Sequence, residues 1–281
     1  MSEDITGRIK DADLNVKEKK VVEIVSGNIQ KMAFLNAGQL AKECNVSAAF
    51  ITRLSQKLGY KSSKEMLEEL KKLYKQQVTS YNIFQNFLSN SGQSDISQES
   101  IVQDLKNITI MEQMLDYEQL DKVVNAILNA GTVYLTAIYN SEIVTKALSW
   151  YLWRLGKPVK CFTGVGVSQK IKYSEIGKDD LLIAVSSQRI FREVYESVET
   201  ASEAGAVTVA LTDNPANPLA TRCDYVLFAP VKGIAIDYTH TATLVLINVI
   251  INNMAMKMPD SVLENLKKEA NIDNEEDLFC L

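Results

Sequence analysis

Apolar positions recur first at helical spacing and later at strand spacing along this chain. In KEKKVVEIVSGNIQKM, residues 17 to 32, Val21, Val22, Val25, Ile29 and Met32 share one face of a 3.6-residue repeat, which predicts an amphipathic helix. Residues 39 to 44 predict a second, short helix with Leu40 and Ala41 inward. Asn45-Val46-Ser47 reads as a turn, and Ser47 as the N-cap of a third helix that carries Phe50 or Ile51, Leu54 and Leu58 before Gly59 ends it. A longer helical stretch runs from Ser63 to about Leu88. SNSGQSDISQES, residues 89 to 100, is polar throughout except for one residue and reads as a linker. Helical segments follow at about 100 to 115 and 118 to 129.

After Gly131 short β-rich apolar runs alternate with helical segments. The strands read are Thr132 to Ile138, Val159 to Phe162, Leu181 to Val185, Val207 to Leu211 and Tyr225 to Phe228. Helices are expected at about 141 to 155, 166 to 174 and 190 to 204, with a final one from near Asp237. This alternation predicts an α/β fold: an all-helical domain, then a doubly wound, mainly parallel five-stranded domain. The expected division is a helix-turn-helix domain at 1–77, a helical connector at 78–120 containing the linker, an α/β domain at 121–262, and an acidic tail with helical character at 263–281. The longest apolar run, Leu244 to Met258, is broken by Asn248, Asn252, Asn253 and Lys257, so a buried helix is expected there and no membrane span.

With 281 residues, 46% of them apolar, the chain has material for two domains and a full core. The net charge of −5 argues against nucleic acid, but it is uneven. Residues 1 to 77 hold 14 Lys and Arg against 10 Asp and Glu, a basic module on an acidic remainder. Cys44, Cys161, Cys223 and Cys280 are widely spaced and His240 is the one histidine, so neither a zinc site nor a disulfide framework is expected, and a reducing cytoplasm fits. MSEDITGRIK lacks the apolar core of a signal peptide. There is no P-loop, dinucleotide-binding glycine motif, Ser-His-Asp order or metal cluster, and no cofactor is called for.

QLAKECNVSAAFITRLSQKLGY, residues 39 to 60, has the order helix, tight turn, helix. In that motif the second helix enters the major groove N-terminus first while nearby cations meet phosphates. Ser47, Ala48 and Ala49 are small enough for close approach; Arg53, Lys57 and Lys61 supply charge; Phe50, Thr52 and Tyr60 complete the candidate DNA-facing set. On spacing alone, a helical bundle with a solvated basic face explains the pattern equally well. VSAAFITRLSQKLGY, however, resembles the end of the helix-turn-helix in the RpiR family of bacterial transcription regulators. The resemblance rests on Val46-Ser47, an Arg six residues after the Ser at Arg53, the closing Lys57-Leu58-Gly59-Tyr60, and Leu40-Ala41 at the family's Leu-Ala pair. Phe50 departs from the family's usual Thr; it changes a DNA contact if it faces the groove and only packing if it faces inward.

The second half, roughly 121 to 262, resembles the sugar isomerase (SIS) domain that RpiR regulators carry. ASEAGAVTVALTDNPANPLATRCDYVLFAP matches through Gly205, Thr212-Asp213, Pro218-Leu219-Ala220 and Asp224, and DDLLIAVSS through the strand before the family's phosphate loop. The resemblance implies a regulator that senses a phosphosugar, acts on an operator as a dimer or dimer of dimers, and has no membrane partner.

The loop itself departs. Where the family has Ser-x-Ser-Gly-x-Thr, this chain has Ser186, Ser187, Gln188, Arg189, Ile190 and Phe191. After the first strand it keeps Ser141 but places Tyr139 and Asn140 before it, where the family has a glycine-bearing turn. Three readings stay open: Ser186 or Ser187 merely caps a helix, an altered site uses Arg189 to anchor phosphate or carboxylate, or a phosphosugar cradle persists. The candidate effector residues are Asn140, Ser141, Ser186, Ser187, Gln188, Arg189 and His240, the last as the obvious proton carrier near neutral pH or a partly exposed neighbour of a helix cap made by Asp237 or Thr239. Glu142 and Glu193 lie in first helical turns, where the dipole favours them. Asp213 is a ligand contact or an Asx turn before Pro215. Trp150 and Trp153 read as core or subunit-interface residues. The rival function is a phosphosugar isomerase with a helical extension, for which these residues supply no catalytic set; a SIS domain that only dimerises is a third.

Overall fold

The computed structural model describes residues 5–77, 79–90, 95–166, 171–236 and 238–276. The chain divides into a helical unit, residues up to 90 with Ala216–Pro218, and an α/β unit made of the remaining described residues.

The helical unit holds α1 (Ile5–Asp11), α2 (Val16–Gly27), α3 (Ile29–Met32), α4 (Ala37–Glu43), α5 (Ala48–Lys57), α6 (Ser63–Gln77) and α7 (Ser80–Asn90). The expected helix over 17 to 32 is two, because Asn28 leaves helical geometry at φ −140°, ψ 49°. Its start is fixed by a capping box: Glu18 N–H donates to Asn15 Oδ1 at 3.0 Å and Asn15 N–H to Glu18 Oε2 at 2.8 Å. The stretch from Ser63 to Leu88 likewise breaks, between Gln77 and Ser80. Helix α1 has no sequence signature, since ITGRIKD shows no repeat long enough to read. It matters nevertheless: Arg8 donates to the carbonyls of Leu58 and Gly59 at 3.2 and 3.0 Å, caps the end of α5, and lies 4.6 Å over the Tyr60 ring. Gly59 suits its left-handed backbone (φ 83°), and a Cβ there would come within 2.7 Å of Arg8 Nη1 and push that guanidinium aside. Val21, Val25, Leu40, Ile51, Leu54, Leu58, Met66 and Leu70 form the buried core.

In the second unit come α8 (Ile96–Met114), α9 (Tyr117–Asn129), β1 (Val133–Ala137), α10 (Glu142–Arg154), β2 (Val159–Thr163), β3 (Leu181–Val185), α11 (Arg192–Glu203), β4 (Val207–Thr212), β5 (Tyr225–Phe228), α12 (Thr241–Lys257) and α13 (Pro259–Glu276). All five expected strands are present in one parallel sheet of order β2-β1-β3-β4-β5. The alternation of β3 explains the layering. Leu181, Ile183 and Val185 face a core shared with α9, α10 and α12, while Leu182 and Ala184 face Val194, Val198 and Ala201 of α11.

Residues expected in a connector, 96 to 114, form α8, which packs Ile108 and Met111 on that first core and donates Asn107 Nδ2 to the Lys232 carbonyl at 2.9 Å. The expected tail begins inside α13, whose Glu269 accepts two bonds from Arg154 at 3.0 and 2.8 Å. Of the expected helix over 166 to 174, residues 167–170 lie outside the described residues, as do Asp237 and Cys280, and 171–173 are helical. The last core helix begins at Thr241, with His240 at its N-cap and no side-chain cap bond.

Candidate functional site

In the helical unit, α4, the four-residue turn Cys44–Ser47 and α5 make the helix-turn-helix. A second capping box, Asn36 with Gln39, starts α4. Asn45 takes the left-handed conformation (φ 52°) that closes the turn, one that Asn tolerates better than most residues. Ser47 Oγ then accepts the Phe50 N–H at 3.2 Å and starts α5. Ile51, Leu54, Ser55 and Leu58 point into the core, leaving Ser47, Ala48, Ala49, Arg53, Gln56 and Lys57 exposed.

The expected DNA-facing residues do not fare alike. Ala48, Arg53 and Lys61 are exposed. Thr52 is half-buried and its hydroxyl donates to the Ala48 carbonyl at 3.2 Å. Lys57 is exposed but paired with Glu18 at 2.7 Å, and that bond, with the Asn15 N–H, holds the Glu18 carboxyl below its ordinary value. Phe50 is half-buried against the core with Lys17 Nζ 5.4 Å from its ring centroid, so its substitution is mainly a packing change. Tyr60 is 4% exposed and packs inside, away from the exposed face of α5. Arg8 and Glu18, which fix the end and the side of α5, gave no sequence signal because their partners lie 39 to 51 residues away.

In the α/β unit the strand order reverses between β1 and β3, and ligands of open parallel sheets settle in the crevice at such a switch point. Both loops singled out in the sequence end there. After β1, Tyr139–Ser141 form a short 3-10 turn with Tyr139 left-handed (φ 56°). After β3, Gln188 is left-handed (φ 56°) at the centre of a γ-turn closed by Arg189 N–H to the Ser187 carbonyl at 2.6 Å. Together with Asn45 these are the non-glycine residues at positive φ among the described residues, and two of the three flank the crevice. The loops touch: the Tyr139 and Phe191 rings meet edge to face with centroids 5.2 Å apart.

Ser186 and Ser187 do not cap a helix. Helix α11 starts at Arg192 with Phe191 at its N-cap, and Ser186 Oγ, buried, donates to the Arg189 carbonyl at 3.0 Å. Ser187 is buried and Arg189 exposed. Asp213, expected as a ligand contact or in an Asx turn before Pro215, accepts the Gln188 N–H on its Oδ1 at 2.9 Å. On the far side, Asn140 donates to the Tyr238 carbonyl at 3.2 Å and Ser141 Oγ lies 3.3 Å from His240 Nε2, while His240 Nδ1 is 3.3 Å from Thr243 Oγ1. His240 is 5% exposed, and burial pulls its pKa down to about 4. It is therefore neutral near pH 7, which overturns the expectation of a proton carrier or a partly exposed cap neighbour. Glu142 and Glu193 stand in the first turns of α10 and α11. Among the described residues no cluster of His, Cys, Asp or Glu is arranged to hold a metal. Among the described residues no single helix is long and apolar enough to cross a membrane.

Comparison with known proteins agrees with both halves. Residues 6–77 match the helix-turn-helix domain of the rpiR family and residues 126–253 match the SIS domain. The sugar isomerase domain of an RpiR transcription factor from Sphaerobacter thermophilus is similar at 25% identity and a TM-score of 0.62, covering 63% of this chain and 99% of that one. The Vibrio vulnificus NanR protein, in a complex with ManNAc-6P, shares the fold over 99% of this chain and 98% of its own, at 19% identity and a TM-score of 0.64. With an rpiR-type helix-turn-helix followed by a SIS domain, the chain belongs to the RpiR family of transcription regulators.

Proposed function

We propose that this regulator binds operator DNA through α5 and that its SIS domain takes a sugar phosphate or related anion at the β1/β3 crevice, changing operator affinity. The observation that carries the reading is the union in one chain of an exposed, small-residue helix start bearing Arg53 with a switch-point crevice flanked by two left-handed, non-glycine loop residues. Strain of that kind is kept where the surroundings enforce it, and it gathers at ligand clamps. NanR, which shares the fold, binds ManNAc-6P. Arg189, exposed beside the γ-turn, is our candidate anchor for the anion.

An isomerase is disfavoured by the altered loop after β3, and His240, buried with its pKa pulled down to about 4, is a weak base for such a reaction. A two-fold pair of chains would present two α5 helices to half-sites about 34–36 Å apart or a multiple of that. Its natural seam in the α/β unit is the face of α10 that turns Ile143, Trp150 and Trp153 outward. Such a protein works where the DNA is, in the cytoplasm. The reading is tested by operator binding of the full-length protein with and without a panel of sugar phosphates: a ligand that shifts operator affinity in the parent and not in Arg189→Ala supports it, and indifference to the whole panel rejects the sensing half.

A further inference from the structure

We infer that Asp213 is a specificity-determining residue of the effector crevice: its carboxylate occupies the Gln188 N–H that an effector's anionic group would take, so an anion binds only by displacing it. This rests on the reading of the crevice as an effector site.

An anion held at the turn after a parallel strand is held chiefly by backbone N–H groups that point outward. Three amides of this turn are already engaged. Ser186 N–H donates to the Leu211 carbonyl at 3.1 Å, Arg189 N–H to the Ser187 carbonyl at 2.6 Å, and Gln188 N–H to Asp213 Oδ1 at 2.9 Å. The first two acceptors are main-chain carbonyls, fixed by β4 and by the γ-turn itself. Asp213 is a side chain with rotatable bonds, so it is the one of the three that can leave without unmaking the sheet. Asp213 is 8% exposed, and a second anion approaching the same N–H meets its charge at short range in a poorly solvated place. A carboxylate on a loop amide is thus a built-in stand-in for the ligand's anion. Its effect on selectivity is direct. Inorganic phosphate, which gains nothing from the rest of the crevice, is excluded, whereas a sugar phosphate offsets the displacement with contacts to Arg189 and to the residues around Asn140. An uncharged sugar never meets the barrier.

The test is calorimetric titration of the full-length protein with inorganic phosphate, a panel of hexose, hexosamine and N-acetylhexosamine 6-phosphates, and their unphosphorylated parents. Asp213→Asn keeps the shape and the acceptor and removes the charge; Asp213→Ala removes both. The expected result is about tenfold tighter binding of phosphate and of the sugar phosphates by either variant, with the uncharged sugars unchanged. Equal affinities in parent and variants overturn the inference while leaving the effector site standing. Failure of parent and variants alike to bind any phosphate overturns both. Should a variant unfold, the parent still decides: the Gln188 amide proton resonance moves on saturation with a sugar phosphate if Asp213 is displaced, and stays if it is not.

Discussion

Tyr139 and Phe191 close edge to face over the β1/β3 crevice, one from each loop, with ring centroids 5.2 Å apart. Phe191 stands where the resemblance places a threonine, and Tyr139 where it places a glycine-bearing turn, so an aromatic pair replaces hydroxyl and open backbone. In Tyr139→Gly two effects oppose: the lost ring contact is worth about 0.5–1.5 kcal/mol and relief of the left-handed backbone about 1–2 kcal/mol. Thermal unfolding should therefore move by only a few degrees, while calorimetry should show sugar phosphates binding more tightly to the opened crevice. A large fall in the unfolding midpoint would mean that the pair is structural.

Arg53 and Lys57 sit one turn apart on α5, but Glu18 holds Lys57 at 2.7 Å. Arg53→Ala should weaken operator binding by about 1–3 kcal/mol and lower the salt slope by about one counterion, with an unchanged circular dichroism spectrum. Lys57→Ala should cost less. Glu18→Gln, which frees the lysine, should tighten binding at low salt, and fluorescence anisotropy at several salt concentrations separates the three. Equal losses for Arg53→Ala and Lys57→Ala would show that the Glu18 pair opens on DNA.

His240 gives the protein a pH dependence whose sign is fixed. Its pKa in the folded chain, about 4, lies below its ordinary 6.5, so the unfolded chain takes up its proton first as pH falls. Its contribution to stability is whole above about pH 6.5 and is lost progressively from there towards pH 4, up to roughly 3 kcal/mol. Unfolding midpoints measured between pH 7.5 and 4.5 should fall in the parent and fall less in His240→Gln. As this is the one histidine in the chain, no other imidazole obscures the difference.

On α10, Ile143, Trp150 and Trp153 are 52%, 54% and 61% exposed, and the two indoles pack tilted at 32° with centroids 5.3 Å apart. If a second chain covers them, Trp150→Lys should halve the mass found by light scattering and sharply weaken operator binding, since one α5 then meets one half-site. An unchanged mass would move the seam elsewhere.

Sequence by itself determined what depends on near neighbours. Short β-rich apolar runs located all five strands to within a residue, and the turn and cap chemistry around Asn45 and Ser47 located α4 and α5, because strand propensity and cap bonds are set within a few residues. Breaks such as Asn28 were harder, since a helix pattern continues across them. Tertiary structure decided the chemistry. Tyr60 reads as part of a DNA-facing surface and is core; the cap reading of Ser186 and Ser187, one of three left open, gives way to Ser186 bonding within its own turn; His240, read as a proton carrier or a partly exposed cap neighbour, is buried with its pKa pulled down. The partners responsible lie far off in the chain: Asp213 is 25 residues from Gln188, Tyr139 is 52 from Phe191, and Ser141 is 99 from His240. Desolvation and left-handed backbone have no local signature, because both are imposed by what the fold brings alongside.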